Sequence, residues 1–147
     1  QLVAEALQDM WKKGLGINVT TNKQEWKVYL NSMTSLNYDV VRAGWIADFL
    51  DPMNYCECFT TNNGNNRTGW SNATYDELEK KARNEIDPKQ RFAYMQEAEK
   101  LLLSQTPIIP IYTYRQRYLI SPELQGCDGN LLGYMNYKYM SVTRNKP

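Results

Sequence analysis

YDVVRAGWIADFLDP, residues 38–52, decides how the rest of the chain is read. Its first half sets Val40, Val41, Ala43 and Trp45 between polar flanks, the composition of a buried β-strand. Its second half turns polar and carries Asp48, Asp51 and Pro52, so the strand delivers charge to its own carboxyl end. In an open α/β sheet, ligands bind in the crevice beyond the carboxyl ends of the strands, which places Trp45 and Asp48 where a small-molecule site is expected. Arg42 lies inside the apolar run, where an unpaired charge is costly to bury, so a carboxylate or an anionic ligand is expected beside it.

On the amino-terminal side, Leu2, Val3, Leu7, Met10 and Trp11 recur at helical spacing, and Gly14 is a natural stop, which predicts a helix to about Lys13. GINVTT, residues 16–21, alternates Ile17 and Val19 as a short strand. Gln24 to about Thr34 then places Trp26, Leu30 and Met33 on one helical face. Strand, helix and strand in succession predict a βαβ unit with a right-handed crossover and parallel neighbouring strands, hence an α/β fold class.

On the carboxyl side, Pro52 to Phe59 reads as a turn of helix, followed by the polar loop TTNNGNNRTGWSN at 60–72. Trp70 and Arg67 within it are expected to anchor the loop rather than cover a ligand. Thr74 with Glu77 has the form of a capping box opening a helix to about Asn84. Asp87, Pro88 and Gln90 open another, with an apolar stripe of Phe92, Met95, Ala98 and Leu102 and an end near Ser104. PIIPIYTY, residues 107–114, reads as an edge strand continued by Arg115 to Ile120. Ser121 to Asn130 reads as turns, and YMNYKYM at 134–140 alternates as a final strand.

Composition narrows the function classes. The chain has 147 residues, 42% hydrophobic and 22% charged, enough for one domain with a core. Lys and Arg number 17 against 16 Asp and Glu, so no global field recruits nucleic acid. No segment approaches the ~20 apolar residues that span a bilayer. The opening LVAEALQDMWKK has neither the charged nor the apolar region of a signal peptide, and a start inside a helix is expected of a piece of a longer protein. Histidine is absent, which removes the commonest general base and metal ligand. With no nucleophile motif either, the chain reads as a binder rather than an enzyme, with no cofactor and no metal site. A hydrolase using Asp48 and Asp51 is the weaker alternative. Cys56, Cys58 and Cys127 lack zinc spacing, leaving a bridge from Cys127 to one of the others, or three free thiols. Eleven Tyr and four Trp supply flat amphipathic surface suited to lining a groove.

QEWKVYL at 24–30, YDVVRAGWIADFLDP at 38–52, NNRTGWSNATYDEL at 65–78, RFAYMQEAEKLLL at 91–103 and PIIPIYTY at 107–114 carry a resemblance. In that order they are similar to the later part of the oligopeptide- and dipeptide-binding proteins of bacterial ABC importers, extracytoplasmic solute-binding proteins of family 5. The resemblance implies a two-lobe, periplasmic-binding-protein-like fold, with residues 1–114 in the second ligand-binding lobe and 115–147 returning to the first. It implies capture of short peptides and their delivery to the cognate ABC permease, from the periplasm or, as a lipoprotein, from the outer face of the cytoplasmic membrane. By the same resemblance, Asp48 holds the peptide's α-ammonium and Arg42 meets the carboxyl end. Trp45, Trp26 and Glu25 line side-chain pockets, with Ala47 inside the Gly-Trp-x-Ala run before Asp48. Two positions depart from the pattern: Met33 stands where some members carry a second basic residue, and Ile46 where some carry a disulfide cysteine. The alternatives are a nickel complex, sugar or haem ligand on the same scaffold, or a surface adhesin or pheromone receptor. Apolar sheet edges left open by an incomplete lobe are expected to make the isolated chain self-associate.

Overall fold

The computed structural model describes residues 2–143, which fall into two compact units, 2–44 with Arg67–Gly69, and Trp45–Asn66 with 70–143. In the first unit, helix α1 spans Leu2–Leu15 and α2 spans Trp26–Thr34. Helix α1 runs past Gly14 because the left-handed exit falls at Gly16, with φ of 68°. Beyond it, the Ile17 N–H donates to the Trp11 carbonyl at 3.2 Å, and Gln8 Nε2 donates to the Val19 carbonyl at 2.7 Å. These bonds lay the next segment back along the helix.

Helix α2 begins at Glu25, whose carboxylate accepts from the backbone N–H groups of Lys27 at 2.8 Å and Val28 at 3.4 Å. An anion at this end satisfies orphan donors and complements the helix dipole. Ser32 and Met33 are buried on its far turn. Tyr29 donates its hydroxyl to the Arg42 carbonyl at 2.8 Å, and Tyr38 donates to the Arg67 carbonyl.

The second unit is built on three helices, α3 at Met53–Cys56 with a 3-10 turn at Glu57–Phe59, α4 at Ala73–Asn84 and α5 at Pro88–Gln105. Tyr75, Leu78, Ala98 and Leu102 form the core between α4 and α5, flanked by Phe59, Trp70, Tyr94, Leu101 and Ile108. Met53, Ala82 and Met95 form a second cluster beneath α3. Ala82 and Ala98 are fully buried, and their small side chains let α4 and α5 approach closely. Trp70 anchors the polar loop as expected: its indole donates to Gln105 Oε1 at 2.7 Å, and its ring meets Tyr75 edge-on at 5.1 Å. Asn66 Nδ2 ties the same loop to the carbonyls of Phe59, Thr60 and Trp70. A two-stranded antiparallel ribbon follows, β1 at Leu124–Gln125 and β2 at Ser141–Val142, with Leu124 opposite Val142.

The helices match the sequence reading closely, with one correction. Helix α4 is capped by Asn72, whose side-chain oxygen accepts from the N–H groups of Thr74 at 2.9 Å and Tyr75 at 3.1 Å. Thr74 lies one step inside the helix, so the Thr74–Glu77 capping box does not form. Helix α5 opens on Asp87 and Pro88 as read.

The strands are where the reading fails. Among the described residues, 16–21, 38–47, 107–120 and 134–140 carry no strand ladder, so the βαβ sheet is not formed within this chain. Residues 137–139 make a 3-10 turn instead. A strand has no hydrogen bonds of its own, and an alternating pattern without a paired neighbour leaves only extended chain. Val40 is 68% exposed, not buried, and Arg42 is exposed, so its expected burial cost does not arise. All three cysteines are free thiols.

Candidate functional site

Proline at 52 ends the extended run and starts α3, and this tight corner concentrates polar groups from residues 45 to 54. Asp51 Oδ1 accepts from the Met53 N–H at 2.8 Å and from Arg91 Nη2 at 2.9 Å. It is thus both the side-chain start of α3 and the ion-pair link from that corner to α5. The Arg91 guanidinium holds the Asp51 carboxyl below its ordinary value, against a smaller upward push from burial.

One turn on, Asn54 is 1% exposed. Its Oδ1 accepts two bonds, from Trp45 Nε1 at 2.8 Å and from the Asp48 backbone N–H at 3.2 Å. A carbonyl oxygen has two lone pairs, so one side chain holds both ends of the Trp45–Asp48 segment. Trp45 is 38% exposed and Asp48 is exposed, while Ala47 between them is half-buried. Among the described residues, no hydrogen bond or ion pair holds the Asp48 carboxylate. Two aspartates three positions apart therefore have opposite situations, one engaged inside the protein and one open to solvent.

Glu25, Trp26 and Arg42 belong to the first unit. The Glu25 carboxylate caps α2, and Trp26 is 65% exposed with its ring stacked on Tyr29 at 5.3 Å. Tyr29 in turn donates to the Arg42 carbonyl, so α2 and the residue-42 backbone are tied within that unit. The residues brought together by direct bonds are Trp45 and Asp48, through Asn54, a residue that sequence reasoning missed. The signal was a polar side chain on the short apolar helix after the Asp-Pro corner. Cys56 and Cys58 flank the corner, and burial pushes both thiols up to about 11, which leaves them protonated and unreactive near neutral pH. Among the described residues no Cys, Asp and Glu cluster has the form of a metal site.

Over 97% of its length the chain superposes on the murein tripeptide-binding protein MppA of Escherichia coli, with a TM-score of 0.86, 35% identity and 28% of that chain covered. It superposes equally completely on Haemophilus influenzae OppA in complex with RPPGFSPFR, with a TM-score of 0.83, 32% identity and 28% of that chain covered. The architecture is that of a two-lobe solute-binding protein, of which this chain forms a part. A profile of the bacterial extracellular solute-binding proteins, family 5, middle region, matches residues 1–67, and the dipeptide-binding protein DppE of Bacillus subtilis is 39% identical over 137 residues. The chain belongs to family 5 of the bacterial extracellular solute-binding proteins. The alignment with DppE takes in 93% of this chain and 25% of DppE, so the chain spans about a quarter of the relative's length. The family is extracytoplasmic, and this chain with it. All six expected ligand-binding positions, from Glu25 to Asp48, lie inside the matched residues.

Proposed function

We propose that this chain is part of an extracytoplasmic receptor that captures short peptides for an ABC importer, with the α-ammonium of the peptide held by Asp48. The observation that carries the reading is the contrast at the corner: Asp51 is engaged by Arg91, whereas the Asp48 carboxylate is exposed and has no partner among the described residues. A cation enclosed by a closing cleft needs a compensating charge, and Asp48 is placed to supply it without first breaking an internal bond. The ligands for which the relatives are named, a murein tripeptide for MppA and dipeptides for DppE, and the RPPGFSPFR held in the OppA complex support the same substrate class.

Arg42 would meet the peptide's carboxyl end, directly or through water, while Trp45, Trp26 and Glu25 would line side-chain pockets and Ala47 would be a further ligand-binding position. Residues 1–114 would contribute to the second lobe and 115–147 would return to the first. Capture and release to the permease need no bond to be broken, so no catalytic residue is assigned. The test is a tryptophan-fluorescence titration of the full-length two-lobe protein with a pool of tri- to pentapeptides, free and N-acetylated. Saturable binding of the free-amine pool alone is expected. Equal binding of both pools would remove Asp48 from this role.

A further inference from the structure

Asp48 and Trp45 are both expected to touch the peptide, but neither is held by a regular sheet or helix. Residues 41–47 carry no ladder hydrogen bonds among the described residues, so something else must fix the direction in which the two side chains leave the backbone. Asn54 is the group in place to do so. Its Oδ1 accepts from the Trp45 indole and from the Asp48 N–H. Asn54 is itself held fast, being 1% exposed on α3. The Asp51–Arg91 pair ties the start of that helix to α5, and the Asn54 carbonyl accepts from the Cys58 thiol at 3.2 Å.

We infer that Asn54 is a positioning residue for ligand capture, a single buried acceptor that sets Trp45 and Asp48 in fixed relation so that an aromatic wall and an anionic anchor present themselves together. The inference rests on the proposed role of Asp48. The chemistry asks for a particular acceptor at this place: an sp2 oxygen two bonds beyond Cβ that offers two lone pairs to the two donors, which Asn supplies and Asp retains. A hydroxyl one atom shorter would not span both donors, and an apolar side chain of equal size would leave both without a partner.

The experiment compares Asn54→Leu, Asn54→Ser and Asn54→Asp in the full-length protein, each alone and combined with Asp48→Asn. Two readouts are taken: affinity for the free-amine peptide pool and the Trp45 indole N–H resonance. Asn54→Leu and Asn54→Ser are expected to shift the indole resonance and to weaken binding about tenfold, the scale of lost bonds to a buried acceptor. Asn54→Asp, which keeps the acceptor, should leave the resonance near its native position. In the Asp48→Asn background the Asn54 substitutions should cost little more, since no anchor remains to be aimed. Losses that simply add would make Asn54 structural and overturn the inference while leaving peptide capture intact. An Asp48→Asn protein that binds peptide normally would instead overturn the capture reading, and the positioning role with it. Should Asn54→Leu fail to fold, the smaller polar Asn54→Ser carries the same comparison.

Discussion

Asp48 and Asp51 have the same side chain and nearly the same sequence neighbourhood, and what separates them is the hydrogen-bond partner each one finds. Asp51 receives Arg91 from α5, forty positions away, and the N–H of Met53. No local pattern announces such a pair, which is why sequence reasoning could offer both aspartates as a catalytic couple and could not tell them apart. The family resemblance singled out Asp48, and it had no equivalent signal for Asn54. The Asp51 carboxyl also gives a pH prediction. Its folded value lies below the ordinary 3.8, so the unfolded chain takes up the proton first as pH falls. The stabilisation is fully present above 3.8 and is lost as pH drops through the lower folded value. Replacing Arg91 by Met should bring the two values together and flatten this part of the acid limb in thermal melts. Parallel acid limbs in the two proteins would show that the pair does not contribute.

At the level of elements, the helices were legible and the strands were not, for a physical reason visible in particular residues. A helix closes its own hydrogen bonds, so the Asp87–Pro88 start and the Phe92, Met95, Ala98, Leu102 stripe suffice to define α5, and three of the four stripe residues are buried while Phe92 near its start is exposed. A strand is completed only by a neighbour. Ile109 and Ile111 of the 107–114 segment have strand chemistry and are 60% and 50% exposed on unpaired backbone. The misplaced cap on α4 is a finer error of the same local kind, since Asn72 and Thr74 are both good capping residues and only the turn geometry chooses between them. The two assignments differ in their consequences. Asn72→Ala should destabilise the second unit by about 1 kcal/mol in urea unfolding, because it frees the N–H groups of Thr74 and Tyr75. Thr74→Ala should change little. The reverse ranking would restore the Thr74 cap.

For the whole molecule the decisive quantity is surface. The chain exposes 12165 Å² at 17.2 kDa, whereas a folded monomer of that mass typically exposes about 7,800 Å². Much of the excess is apolar: Val40, Ile46, Ile109, Leu119 and Leu131 are all more than half exposed, and the first four of them lie on the unpaired extended segments. In a two-lobe protein the remaining strands would be supplied by chain outside these residues, in keeping with an alignment that takes in about a quarter of DppE. Produced alone, the 147-residue chain should satisfy those edges with further copies of itself. Sedimentation or light scattering is therefore expected to give an average mass that rises above 17.2 kDa with concentration. Substituting Lys at Ile109 and Ile111 should lower that association while leaving the α4–α5 core intact, because both side chains project from the exposed segment and neither belongs to the buried clusters. A strict monomer up to the solubility limit would mean that the extended segments fold onto the chain's own body in solution, and the missing-neighbour account of the unformed sheet would fall with it.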